Sequence, residues 1–227
     1  MNTYVIVGGS RGIGLALVKL LVDTHHVVNI SRNKPDFSHP NLTNYQVDVL
    51  TDPLPDIAKC DGLVYCPGSI NLKPFHLLKP QDFRDDFEIN VIGAIRTVQA
   101  YLNTLKKAPK PAIVLFSTVA TKLGMPYHAS VSCAKSAVEG LTKTLGAEMA
   151  PQMRINAIAP TITNTDLAAK LLRNEKMIET ITERHPLKKF LKPNEVAEMA
   201  LFLLSDKAQS LSGQIFEMDC GIVSFKI

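Results

Sequence analysis

A short apolar run, Tyr4-Val5-Ile6-Val7, ends directly in Gly8-Gly9-Ser10-Arg11-Gly12-Ile13-Gly14. A helical stripe of Ala16, Leu17, Leu20 and Leu21 follows at once. Few architectures need a strand, a glycine-studded turn and a helix in that order. Gly8 lets the strand turn tightly. Gly12 removes a side chain where backbone must approach a pyrophosphate, and Gly14 lets helix and strand pack closely. The free N–H groups of the helix N-terminus then face the anion. The flanking strand and helix separate this turn from an ordinary glycine-rich loop, so nucleotide binding is the expectation.

Strand-length apolar runs recur at Tyr4–Val7, Val27–Ile30, Tyr45–Val47, Gly62–Cys66, Ala112–Phe116, Arg154–Ile158 and Gln214–Met218. Several are apolar on both faces, as a covered parallel sheet requires. Helical stripes lie between them. Val91, Ile95, Val98, Leu102 and Leu105 form one, and Ala134, Val138, Leu141, Leu145 and Met149 another. Val196, Met199, Ala200 and Leu203 begin a third after Pro193, a good first helical residue. The alternation predicts an α/β fold, a doubly wound parallel sheet of about seven strands with helices on both faces. Asn33 to Asn44 reads as a loop. Thr161 to Lys192, rich in charge and turn residues, reads as an excursion over the ligand side that could serve as a mobile lid. No linker divides the chain, so 1–227 reads as one domain.

Composition excludes several classes. An apolar fraction of 46% in 227 residues supports a sizeable core and argues against disorder. The net charge of +4 is mild and dispersed, which does not favour nucleic acid. Cys60, Cys66, Cys133 and Cys220 lack metal-ligand spacing. They read as free thiols of a reducing cytoplasm. No apolar run is long enough for a membrane span, and no signal peptide is legible.

The order of motifs resembles the short-chain dehydrogenase/reductase family along nearly the whole chain. Gly8-x3-Gly12-x-Gly14 is similar to its cofactor turn, Asp48-Val49 to its adenine-contacting acid, and Asn90-Val91-Ile92-Gly93 to its helix asparagine motif. Ser117-Thr118 stands where its serine strand ends, and Lys135-Ser136-Ala137-Val138 resembles the segment opening on its catalytic lysine. Asn156-Ala157-Ile158-Ala159-Pro160 with Thr165-Asp166 resembles the nicotinamide loop, and Asp219-Cys220-Gly221 the C-terminal strand. The resemblance implies hydride transfer between a nicotinamide and a carbonyl or alcohol carbon. It assigns catalytic roles to Asn90, Thr118 and Lys135. It assigns cofactor contacts to Gly8, Ser10, Arg11, Gly12, Ile13, Gly14, Ser31, Arg32, Asp48, Val49, Cys66, Pro67, Gly68, Lys135, Pro160, Ile162 and Thr165. It further implies a small-molecule carbonyl or alcohol substrate and a homotetramer or homodimer.

The departures bear on mechanism. Where the family carries its catalytic tyrosine, four residues before Lys135, this chain has Val131. Valine has no proton to give. Thr118 replaces the serine but keeps a hydroxyl. Asn-Asn-Ala-Gly has become Tyr65-Cys66-Pro67-Gly68, which lacks the amide side chains that brace the family's sheet. Tyr127, His128 and ordered water remain as proton sources, although each side chain taken alone reads rather as an ordinary loop residue. At the second strand end stands Ser31-Arg32 rather than an acid, and Arg11 lies within the glycine turn. Guanidinium groups suit a 2′-phosphate, so NADP(H) is expected over NAD(H). The functional readings are a divergent NADP(H)-dependent oxidoreductase and, as the alternative, a catalytically silent NADP(H)-binding protein. Met125, Pro126 and Leu167 are candidate liners of a partly apolar substrate pocket.

Overall fold

Alternation along the first strand sets the layering. Tyr4 and Ile6 join the core on one side of the sheet, and Val5 and Val7 join the core on the other. The computed structural model describes residues 1–225. Its strands are β1 (Thr3–Val7), β2 (His26–Ser31), β3 (Leu42–Gln46), β4 (Gly62–Tyr65), β5 (Ala112–Phe116), β6 (Arg154–Pro160) and β7 (Ile215–Met218). All pair in parallel, in the order β3-β2-β1-β4-β5-β6-β7. The Rossmann-like doubly wound sheet read from the alternation is therefore present.

Helices α1 (Gly12–Leu21) and α6 (Pro193–Leu204) cover one face. Their Leu17, Leu21, Val196 and Leu203 pack on Ile6, Val64 and Ile158. Helices α3 (Gly93–Leu105) and α4 (Ala129–Glu148) cover the other, where Val98, Leu105 and Val138 meet Val5, Leu63 and Ile155. Two further helices, α2 (Pro80–Phe87) and α5 (Glu175–Arg184), lie outside these layers. The strand order reverses between β1 and β4. Their carboxyl ends open a crevice there, which is where such sheets bind ligands.

Several boundaries move from the sequence reading. The third strand is Leu42–Gln46 rather than Tyr45–Val47, so Asn33–Asn44 is a loop only up to Asn41. Val91 belongs not to α3 but to a π turn over Glu88–Ile92 that precedes it. Thr161–Lys192 contains α5 and a bridge from Thr163 to Leu191. Up to Ser224 the C-terminal tail is folded back by Asp219, whose carboxylate accepts from the N–H groups of Gly221, Val223 and Ser224. Lys226 and Ile227 lie outside the described residues.

The altered Tyr65-Cys66-Pro67-Gly68 segment has its own brace. Tyr65 donates its hydroxyl to the Ile89 carbonyl of the π turn at 2.7 Å. Gly93 leaves the space for it, since a Cβ there would lie 2.0 Å from the Tyr65 oxygen.

Asn29 ties the glycine turn to the sheet. Its Oδ1 accepts from Gly9 N at 2.9 Å, and its Nδ2 donates to Ser31 Oγ and to Asn44 Oδ1. The side chain is fully buried. Asn29→Ala strands the buried Gly9 N–H and is expected to lower unfolding stability by about 2 kcal/mol, as a denaturant titration would measure.

Candidate active site

The glycine turn shapes a cleft of about 340 Å³ at the crevice. Gly8 and Gly12 adopt φ of 80° and 57°, open to glycine at little strain. Gly14 brings α1 against β1: a Cβ there would sit 2.3 Å from Gly8 O. No side chain caps the first turn of α1, so its N–H groups face the cleft. Ser10, Arg11, Gly12, Ile13, Ser31, Arg32, Asp48, Val49, Cys66, Pro67, Gly68 and Thr165 line it with Gly8 and Gly14. Most of the cofactor contacts implied by the resemblance thus line one cleft, whose lining suits a dinucleotide: glycine backbone and helix N–H groups for phosphates, and the guanidinium groups of Arg11, just before α1, and Arg32, just after β2. Asp48 is itself held, its Oδ1 accepting from Leu50 N at 3.0 Å.

A second cavity of about 270 Å³ continues from the first. Ile13, Cys66, Gly68, Thr165 and Leu167 line both. Thr118, Val131 and Lys135 stand in its wall, with Pro160 and Ile162 from the end of β6. Met125, Leu167, Leu171, Ile181 and Ile222 make much of the rest apolar. Of the pocket residues read from sequence, Met125 and Leu167 line it and Pro126 does not. His128 reaches the wall, with Nδ1 in hydrogen bond contact with Pro126 O at 2.7 Å. Tyr127 lines neither cavity; it is 58% exposed, with φ of 70°.

Lys135 is buried, and its Nζ donates to Phe116 O at 2.8 Å. Burial pulls its pKa down to about 8, with Cys66 and Asp86 opposing. Asn90 is buried behind Gly68. A Cβ on Gly68 would meet Asn90 Oδ1 at 3.2 Å and Lys135 Nζ at 3.4 Å, so the two polar ends approach one spot. Asn90 Nδ2 donates to Ser69 Oγ and to Asp86 O. Thr118 Oγ1 accepts from Ala120 N at 3.3 Å. Ser132 donates to Ala120 O and is satisfied locally. Ser69 and Asp86 were not legible as site residues: Asp86 sits in a charged helix whose sequence reads as solvated surface. Among the described residues no helix is long and apolar enough to cross a membrane, and no side-chain group could hold a metal ion.

Comparison with known proteins agrees with this geometry. Residues 46–223 match the family model described as enoyl-(acyl carrier protein) reductase. The 3α-hydroxysteroid dehydrogenase of Mediterraneibacter gnavus is 29% identical, across 95% of this chain and 94% of that one. An inactive 2-(S)-hydroxypropyl-CoM dehydrogenase 2 of Xanthobacter autotrophicus is 32% identical across 72% of this chain and 73% of its own. The solved structure of ElxO with NADP bound superposes with a TM-score of 0.88 at 27% identity, covering 99% of each chain. The chain belongs to the short-chain dehydrogenase/reductase family.

Proposed function

We propose that this protein is an NADP(H)-dependent oxidoreductase that interconverts a small carbonyl compound and its alcohol, using a proton donor other than residue 131. The observation that carries the reading is the continuity of the two cavities. The glycine cleft, with Arg11 and Arg32 at its far end, runs into an apolar chamber walled by Thr118 and Lys135. The nicotinamide, when bound, supplies or accepts the hydride. Arg11 and Arg32 would hold the 2′-phosphate by charge-assisted hydrogen bonds. Lys135 would bind the nicotinamide ribose and place positive charge beside the reacting oxygen. Thr118 donates to that oxygen as negative charge develops. The apolar wall excludes water and accepts the substrate body. The NADP bound in ElxO supports this cofactor choice. Homo-oligomerisation and the lid role of Thr161–Lys192 belong to the same reading and rest on family membership and on the segment's contribution to the chamber.

A silent, cofactor-holding role draws on Val131 and on the inactive Xanthobacter relative. Val131→Tyr separates the two. Wild type is expected to oxidise NADPH in the presence of a carbonyl panel. The variant, whose phenol fills space now lined by valine, should raise KM about tenfold, the scale of a modest overpacking penalty. Turnover that appears only in Val131→Tyr would establish the silent role.

A further inference from the structure

Asp86 is the one buried residue of α2, only 2% exposed. A carboxylate withdrawn from water requires hydrogen bonds or a charge partner. Its Oδ1 accepts a 2.5 Å bond from Ser69 Oγ, which in turn accepts from Asn90 Nδ2 at 2.9 Å. Ser69 lines the apolar chamber. Among the described residues, four buried side-chain atoms lack a partner. Three of them, Asp86 Oδ2, Asn90 Oδ1 and Ser130 Oγ, sit on α2, the π turn and α4, which pack together. Asn90 Oδ1 and Lys135 Nζ approach one spot at Gly68, so unpaired polar atoms gather near the lysine.

Val131 has no proton. His128 and Thr118 each make one local contact, to Pro126 O and from Ala120 N, and among the described residues neither hydrogen-bonds a carboxylate. Ser69 and Ser117 both line the chamber and donate to a carboxylate, Ser117 to Glu139 at 2.6 Å, but only the Asp86 behind Ser69 is fully buried, Glu139 being half-buried. We propose that Ser69 and Asp86 are the proton-transfer pair of this site, Ser69 meeting the substrate oxygen and Asp86 exchanging a proton with Ser69. This rests on the oxidoreductase reading above and names its missing donor.

In the oxidation direction the substrate O–H bond breaks and its proton bonds to Ser69 Oγ. The proton of Ser69 crosses to Asp86 Oδ1 in the same step. The substrate C–H electron pair leaves as hydride, which an oxidised nicotinamide would accept when bound, and the C=O bond forms. Asp86 then releases its proton to water. Reduction runs through the same bonds in reverse. Ser69 is the catalytic residue; Asp86, acting through it, is a positioning residue and proton reservoir. The titratable groups facing the cluster are Lys135 from α4 and the Cys66 thiol at the end of β4.

The test compares wild type with Asp86→Asn, Ser69→Ala and Ser69→Thr. A readout free of substrate is the ionisation midpoint of Lys135, followed by NMR of 13C-labelled lysine. A charged, coupled Asp86 supports that ammonium, so Asp86→Asn should shift the midpoint to lower pH. With a carbonyl substrate, Ser69→Ala and Asp86→Asn should lower kcat by about 100-fold, the scale of a general acid–base group, at little change in KM. Ser69→Thr, which keeps the hydroxyl, should recover most of it. NADPH affinity should stay within about threefold in every variant, since none of these side chains is a cofactor anchor. An unmoved Lys135 midpoint in Asp86→Asn, or full kcat in Ser69→Ala, overturns the pair. Absence of NADPH binding by wild type would instead sink the cofactor reading, while the Lys135 midpoint still decides whether Asp86 is charged and coupled.

Discussion

Gly14→Ala is expected to abolish measurable NADPH binding and to lower Tm by about 10 °C. The added Cβ would lie 2.3 Å from Gly8 O and 2.9 Å from Gly8 C, both backbone atoms of the turn itself. No rotamer change relieves that clash, so α1 must move off β1. Overpacking of this kind costs about 3 kcal/mol. For a chain of this size each kcal/mol corresponds to about 2–4 °C in Tm. The same displacement carries the first-turn N–H groups away from the phosphate position, and a shift near 1 Å can weaken a positioned interaction by about 100-fold. Gly140→Ala is the control. Nothing lies within 4 Å of its added Cβ on α4, and a helical alanine in place of glycine should leave stability equal or slightly raised. Differential scanning calorimetry and a fluorescence titration with NADPH read both effects.

Lys135→Met is expected to lower kcat by about 1000-fold, within the range for groups that stabilise charge and move protons. The substitution also supplies a pH signature. Burial holds the folded-state pKa at about 8, below the ordinary lysine value of 10.5. Below about pH 8 both folded and unfolded chains carry the proton, and the folded state bears the full penalty of a buried ammonium. Between about 8 and 10.5 the folded chain has released the proton while the unfolded chain retains it. Stability therefore gains from this group as pH rises, by about 3 kcal/mol over the window. Lys135→Met removes that rise, so the stability difference between wild type and variant should shrink or reverse across pH 8 to 10.5. Activity that needs the ammonium should fall over the same range. Urea titrations at several pH values on both proteins measure it; a pH-independent difference would contradict the buried-cation assignment.

The fold was legible where burial leaves a period in the sequence. The β1-turn-α1 unit, the stripes of α3, α4 and α6, and the continuous apolar runs of β4 and β5 all face two covered layers, so each signal is strong. The third strand was misplaced because it is the sheet edge. Its residues are half-buried or exposed, and Tyr45-Gln46-Val47 mimics a strand alternation as well as Leu42–Gln46 does. The α2 helix was missed because only Asp86 of its residues is buried. Its start signals, Pro80 and the Asp82 carboxylate accepting from Lys79 N, carry no apolar stripe behind them. α5 has no buried residue at all and left only a helical tendency within a charged segment.

The lining of the glycine cleft was readable almost residue by residue, because a glycine turn between strand and helix leaves glycines at fixed spacing. The proton chemistry was not. Valine at position 131 is visible in sequence, but the proton-transfer pair we propose rests on a buried contact between Ser69, adjoining β4, and Asp86, seventeen residues later on an otherwise solvated helix. Tyr65 and Gly93 pose the same difficulty. The hydroxyl needs the missing side chain, and nothing local links the two positions.

Calorimetric titration of the wild-type protein with NADPH and with NADH tests the central claim most directly. Arg11 and Arg32 at the β2 end of the cleft should give micromolar binding of NADPH and at least tenfold weaker binding of NADH, the worth of about 1.4 kcal/mol in phosphate contacts. Binding of neither nucleotide, or equal binding of both, would contradict the assignment of this cleft to NADP(H).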